Sequence, residues 1–293
     1  MSPLDLLTAL VVVVVWGLNF AAVKVALTEF SPLLLTSLRF AFVAVCLLPW
    51  LRAPKERWGQ LLLLSSVMGV GHFGLMFLGM DGVDAAAAAI IIQLGVPFSS
   101  LLAALVYKDH LGWRRGLALA LAFAGVAILA GEPHLTHLTG LVAVVGAALG
   151  WAVGNLVAKT LHDLPALTVN AFLGLLAAPQ LLALSLVFED GQAKAIVDAT
   201  WKGWGALAFI VLMSSLVAYT LWYRLVARYD LNQVVPITML GPVIGGLSGI
   251  LLLDEPATWH KIVGGALTLV GVAIIHLRQK RKTGHDPVPI GEL

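Results

Sequence analysis

The chain is a succession of long apolar runs, each interrupted by proline, glycine or charge. In the first half the interruptions read Ser31-Pro32, Arg52-Ala53-Pro54-Lys55, Asp81-Gly82, Lys108-Asp109-His110 and Gly131-Glu132-Pro133. A helix needs roughly 20 apolar residues to cross the hydrocarbon core of a bilayer. On that measure membrane helices are expected near 4–27, 33–51, 59–80, 84–107, 112–131, 138–160, 165–187, 203–226, 231–253 and 258–278. The runs are continuously apolar rather than alternating, which predicts helices and not a β-barrel. The first run begins without the basic region of a signal peptide and is too long for a signal core, so it reads as a retained helix.

The pattern is written twice. Trp16-Gly17-Leu18-Asn19 returns as Trp151-Ala152-Val153-Gly154-Asn155, each followed eight residues after its Trp by a lysine, Lys24 and Lys159. Leu94-Gly95-Val96-Pro97 answers Leu240-Gly241-Pro242, and Phe123–Ile128 answers Leu269–Ile274. The offset runs from 135 residues (151 minus 16) to 146 (269 minus 123), which predicts repeats over 1–135 and 136–280 and a tail over 281–293. Five spans per repeat is an odd number, so the second copy enters the membrane from the opposite face. Inverted repeats with helix breakers at matching depths are a usual build of secondary transporters.

Composition strengthens this reading. Of 293 residues 60% are hydrophobic and only 12% charged, against about 25% charged in soluble proteins. Mean hydropathy is +0.95. The expected fold is an all-α integral membrane protein of ten transmembrane helices, partnered by the lipid bilayer. A net charge of +2 does not suggest nucleic acid, and the lone Cys46 cannot form an intramolecular disulfide. Ten spans put both termini on one face. With that face inside, Arg52, Lys55, Arg57, Lys108, Arg114, Arg115, Lys159, Arg224, Arg228, Arg278, Lys280, Arg281 and Lys282 are cytoplasmic, and only Lys194, Lys202 and Lys261 lie outside. The positive-inside rule therefore predicts cytoplasmic termini.

Candidate chemistry is sparse and central. Trp50, Trp58, Trp113, Trp201, Trp204 and Trp259 fall near span ends, where Trp normally sits. Trp16 and Trp151 fall at span centres, where an indole N–H needs a partner. They read either as packed core or as walls of a cavity, with Asn19 and Asn155 one turn on. Pro97 and Pro242 are central too, and proline frees a carbonyl one turn back; Gln93 and Thr238 stand four residues before them. Span three carries a face of Ser65, Gly69, His72, Met76 and Gly79, and span eight one of Ser215, Tyr219 and Trp222. Small, soft and aromatic groups together suit an apolar pocket with few polar anchors. His72 reads as a proton relay or as a neutral imidazole bonded to a carbonyl. Lys24 and Arg39 lie within about two turns of the outer surface, near enough to snorkel. Their other readings are a carboxylate anchor, or an outer gate pairing with Glu29.

Other features exclude. No Asp or Glu lies deep in a span, which argues against a carboxylate proton relay and against cationic cargo. Gly146/Gly150/Gly154 and Gly241/Gly245/Gly249 are small-residue ridges for helix packing. The run Gly69-Val70-Gly71-His72-Phe73-Gly74 matches a dinucleotide fingerprint but lies inside a span with no strand before it. No cofactor or metal is expected. H-E-x-x-H and G-x-S-x-G are absent, so an embedded enzyme is not expected, nor is a channel, since no ring of charges is visible.

Several motifs together resemble the EamA branch of the drug/metabolite transporter superfamily. They are W-G-x-N with its following lysine, Pro32-Leu33…Leu38-Arg39-Phe40, Gly131-Glu132-Pro133, Asp254-Glu255, and G-x-x-L-x-x-x-G-V over 264–272. The first half has Lys108-Asp109-His110 where the second has Asp254-Glu255, so that motif is intact once. More narrowly, the chain resembles the YddG-type exporters of aromatic and other neutral amino acids. The resemblance implies ten helices in two inverted repeats, a central cavity, and cargo leaving a bacterial cell across its inner membrane by alternating access. Taken together, the residues and the resemblance lead to a monomeric facilitator for neutral amino acids, with Trp16, Trp151, Met76 and Tyr219 as walls. Asn19, His72, Gln93 and Asn155 would be polar anchors, and Pro97 and Pro242 the kinks. The alternative is export of another metabolite or a drug, proton-coupled through His72.

Overall fold

The computed structural model describes residues 1–51, 56–106, 112–131, 138–161, 163–229, 234 and 237–282. Among these residues the fold is helical and contains no strand. In chain order the helices are α1 (Pro3–Leu27), α2 (Pro32–Cys46), α3 (Trp58–Gly82), α4 (85–106), α5 (Trp113–Leu129) and α6 (Leu138–Lys159). They continue with α7 (Ala166–Phe188), the short α8 (Gln192–Asp198), α9 (201–228), α10 (Gly241–Leu252) and α11 (Trp259–Lys282). By length and composition six of them can cross a membrane: α1, α3, α4, α6, α7 and α9; α2, α5, α10 and α11 carry shorter apolar stretches. Arg52, Pro54, Lys55, Lys108, Asp109, His110, Glu132, Pro133 and the tail from 283 lie outside the described residues.

The helices depart from the expected spans where backbone chemistry requires it. The second run ends as a helix at Cys46 and finishes in a 3₁₀ turn, Leu48–Trp50, that accommodates Pro49. The run expected over 231–253 is not one helix. Its α10 begins at Gly241, with Pro242 in the first turn, where a missing N–H leaves no hydrogen bond unmade. Pro242 therefore starts a helix instead of bending one. In α4 a 3₁₀ turn at Ile92–Leu94 precedes Pro97, and the Gln93 carbonyl has no N–H to receive one turn on. The short α8 was not expected at all.

Two wide-turn π-helical stretches occur, at Ser65–Gly74 in α3 and Phe209–Ala218 in α9. Single π turns concentrate at functional sites because they turn side chains off the regular α-helical face.

The packing follows one rule. α1 lies on α9 and α10, α6 on α3 and α4, α2 on α7, and α5 on α11. Exchanging α1 with α6, α2 with α7, α3 with α9, α4 with α10 and α5 with α11 returns these contacts, while among the described residues α4–α11 and α2–α3 have no comparable counterpart. In lipid no hydrophobic force draws helices together, so close approach depends on small residues. A Cβ added to Gly150 would stand 2.5 Å from the Gly71 carbonyl oxygen. One on Gly271 would stand 2.6 Å from the Ala118 carbonyl oxygen.

Polar clamps tie the ends of the bundle. Ser31 does not cap α2; instead Glu189, just beyond α7, accepts from the Leu33 and Leu34 amides at 2.7 and 3.1 Å and from the Ser31 hydroxyl at 2.7 Å. Likewise Asp84 does not cap α4. Glu255 does so, accepting from the Ala85 and Ala86 amides at 2.6 and 3.0 Å. Asp254 turns the chain there with a left-handed φ of 54°, a conformation Asp tolerates at a helix end. The Asp254-Glu255 motif is thus a helix stop that delivers a cap to another helix. Beside it Lys261, itself buried, donates to Asp84 at 2.6 Å.

Candidate functional site

A cavity of about 420 Å³ opens among α1, α2, α3, α4, α6, α9 and the segment entering α10. It is lined by Trp16, Asn19, His72, Met76, Gln93, Trp151 and Tyr219, and by Pro242 and Arg39. These residues, far apart in the chain, share one chamber. Asn155, Pro97 and Lys24 do not line it. Lys24 donates instead to the Met80 carbonyl at 2.7 Å, so it ties α1 to the end of α3. Among the described residues the Glu29 carboxylate forms no salt bridge: it accepts from the Thr200 amide at 2.6 Å and hydroxyl at 2.5 Å.

One side of the chamber is aromatic. The Trp16 ring lies 5.3 Å from Tyr219 and 5.5 Å from Trp222, centroid to centroid, and its Nε1–H donates to the Ser214 carbonyl at 3.4 Å. That bond answers the question posed by a mid-helix indole: its partner is a carbonyl of the π-helical stretch of α9. On the opposite side Trp151 faces His72 at 5.1 Å. His72 Nδ1 lies 2.9 Å from the Ala147 carbonyl oxygen. A carbonyl only accepts, so Nδ1 carries the proton, and in the neutral ring Nε2 is an acceptor. His72 is thus fixed by a carbonyl, as one of its two expected readings had it.

Arg39 departs most from expectation. It does not snorkel. The residue is 3% exposed, its Nε donates to Ser215 Oγ at 3.2 Å, and its guanidinium carbon sits 4.2 Å from the Phe73 ring centroid. Phe40 and Phe77 stand at 5.7 Å. The Ser215 hydroxyl, while accepting from Arg39, donates to the Ile210 carbonyl five residues back at 2.8 Å. The π-helical stretch therefore aims Ser215 at Arg39. A basic residue beside Phe40 within an apolar run is the sequence signal, and of the readings it carries the structure removes snorkelling.

The face expected on α3 divides in two. His72 and Met76 reach the cavity, while Gly69 and Gly79 receive Ala177 and Val144 and Ser65 bonds the Leu62 carbonyl at 2.8 Å. Phe20, Phe73, Phe77 and Met80 complete the apolar wall; of these Phe73 lies in the π-helical stretch, where α-helical spacing does not hold. Polar atoms are few. The Asn19 side-chain oxygen is buried without a hydrogen-bond partner. No Asp or Glu lines the chamber among the described residues.

Comparisons with known proteins place the chain in a family. The chain is 32% identical over 288 residues to a "Probable amino-acid metabolite efflux pump" of Escherichia coli strain K12, covering 94% of this chain and 95% of that protein. Its similarity to the Salmonella typhimurium protein of the same description is 30% over 285 residues, with coverage of 94% and 95%. A "Probable terminal-alkyne amino-acid exporter" of Streptantibioticus cattleyicolor is 27% identical over 274 residues, 91% of each chain. A solved crystal structure superposes with a TM-score of 0.63 at 18% identity, covering 96% of this chain and 99% of that one, a likeness of fold. The family model of the EamA-like transporters matches twice, over residues 4–131 and 138–277. The chain belongs to the EamA-like transporter family and is an integral membrane transporter, not an enzyme.

Proposed function

We propose that this transporter exports neutral amino acids, aromatic ones included, across a bacterial inner membrane. One observation carries the reading: a chamber of amino-acid size whose walls are aromatic and thioether groups and whose lining, among the described residues, holds no carboxylate. A pocket of that make takes an apolar side chain and offers a few polar atoms to the rest. The names of the relatives, amino-acid efflux pumps and exporters, point the same way.

The architecture we infer is ten crossings in two inverted repeats of five, over 1–135 and 136–280, with cytoplasmic termini and a monomeric chain. It is supported by the doubled family match, by principal helix contacts that survive exchange of counterparts, and by the charge bias of the loops. Transport then proceeds by alternating access, the two halves rocking about the chamber. Trp16, Trp151, Met76 and Tyr219 enclose the side chain; Asn19, His72 and Gln93 are the polar contacts. Asn155, outside the chamber, keeps no contact role in this reading. Pro97 stays the kink of a moving helix, while Pro242 marks where one restarts. With no carboxylate among the described lining residues to carry a proton, transport is facilitated, down the cargo gradient.

Uptake by proteoliposomes of purified protein tests this with labelled phenylalanine, leucine and lysine, with and without a pH gradient. Entry of the first two but not lysine, indifferent to the gradient, is expected. Lysine uptake equal to phenylalanine would remove the cargo class, and gradient-driven accumulation would remove facilitated transport.

A further inference from the structure

We propose that Arg39 is a carboxylate-binding subsite: it holds the α-carboxylate of the cargo and makes a carboxylate a condition of tight binding. This deepens the reading above and rests on the same chamber.

Three observations meet here. Arg39 lines the cavity although it is 3% exposed. Among the described residues no Asp or Glu pairs with it and its hydrogen bond goes to Ser215, with Tyr219 and His72 near enough to interact electrostatically. A guanidinium has five N–H donors; one is spent on Ser215, so four find no acceptor among the described residues.

A buried, unpaired cation is costly, and proteins seldom leave one without compensation. The rings of Phe73, Phe40 and Phe77 supply part of it, since aromatic faces attract a guanidinium. They do not satisfy the outward N–H groups. A planar anion does, through the two-pronged geometry that makes arginine the residue of choice for carboxylates.

The surroundings fit a ligand seat better than a structural strut. A strut would pair Arg39 with a carboxylate, as Lys261 pairs with Asp84. Instead Ser215 steers the side chain through Nε and leaves both terminal nitrogens uncommitted. The Phe40, Phe73 and Phe77 rings also shield the guanidinium from water, which strengthens the interaction with an arriving anion. Cargo that brings its own negative charge completes the network; a cation meets repulsion.

The test uses the full-length protein in lipid nanodiscs and two ligands that differ only in the anion, 3-phenylpropionate and 3-phenylpropionamide, alongside phenylalanine. Calorimetric titration of the wild type is expected to show the acid binding about a hundredfold tighter than the amide, as befits loss of a buried charge pair. Arg39→Gln should bind acid and amide alike, and Arg39→Lys should recover part of the difference. The acid–amide comparison on the wild type stands even if Arg39→Gln fails to fold. Equal binding of acid and amide by the wild type overturns the proposal, as does a persisting acid preference in folded Arg39→Gln or no carboxylate binding at all. If the acid binds through Arg39 while phenylalanine and leucine neither bind nor cross, the subsite stands and the amino-acid reading falls.

Discussion

Trp16 and Trp151 occupy the same place in the two halves, yet their surroundings differ. Trp16 stands among Tyr219 and Trp222 and gives its N–H to α9. Trp151 faces a histidine that is itself bonded to a carbonyl, and lies against Gly95. The asymmetry extends to charge, for Arg39 of α2 aligns with Gly174 of α7, and Gly174 does no more than admit the backbone near Phe40 and Ala44. Repetition supplies the frame, and the residues that break it supply chemistry. A chamber with a cation and a histidine at chosen points can orient an asymmetric ligand, which a symmetric one cannot.

The frame is the easiest part to break. Gly150→Leu drives a side chain into the Gly71 carbonyl, where even a Cβ has no room, and α6 must move off α3. Overpacking of this kind costs about 1–3 kcal/mol, and the thermal midpoint of the purified protein should fall sharply. Gly59→Ala, at a helix position with nothing within 4 Å, should be neutral or slightly stabilising. Equal midpoints would mean that the α3–α6 contact is looser than the geometry requires.

The aromatic pair gives the next effect. In Trp16→Ala the neighbouring Tyr219 and Trp222 rings are free to fall into the vacated space, so phenylalanine flux should drop about tenfold, on the scale of one lost apolar contact of about 1.5 kcal/mol. Trp151→Ala leaves His72 held by Ala147, and a drop of about threefold is expected. Initial rates in proteoliposomes decide this, and equal losses would mean that the two sides do the same work. A smaller contrast separates the asparagines. Asn19→Ala removes a buried polar atom of the lining and should cost about fivefold, while Asn155→Ala should stay within about twofold.

Much of this molecule was legible in its sequence because membrane helices are coded coarsely. Runs of about twenty apolar residues and their breakers locate α1, α3, α6 and α7 to within a few residues, since lipid permits little else. The central tryptophans, Met76, Gln93 and Tyr219 were legible as cavity candidates for the same reason: polar or aromatic groups stand out against aliphatic ones. What failed was anything set by register. Two π-helical stretches rotate their side chains away from α-helical spacing, and Phe73 and Ser215, which lie in them, face where that spacing does not put them. Distance from the surface along the helix axis makes Arg39 look able to snorkel, but its direction, inward onto Phe73, decides its burial. Asn155 was inferred from its counterpart Asn19, and repetition proved a poor guide to which residues reach the chamber.

The ends of the bundle sharpen the comparison at its weakest point. At one end Glu29 holds the Thr200 amide and hydroxyl; at the other Asp163 holds Arg57 at 3.0 Å. Both clamps join a residue just after a first-position helix (α1 or α6) to the start of its partner (α9 or α3), but one is neutral on its donor side and the other is an ion pair. Hydrogen bonds from Thr200, above all its hydroxyl, hold the Glu29 carboxyl below its ordinary value of 4.5. A carboxyl lowered on folding stabilises the protein above its unfolded value and loses that contribution as pH falls through the folded one. The wild-type thermal midpoint should therefore decline from about pH 4.5 downward, and Glu29→Gln should decline less over that window. The exposed Arg57–Asp163 pair should respond to salt instead, with Asp163→Asn flattening a shallow dependence between low and physiological ionic strength. An acid decline as steep in Glu29→Gln as in the wild type would place the sensitivity elsewhere and leave the two clamps chemically alike.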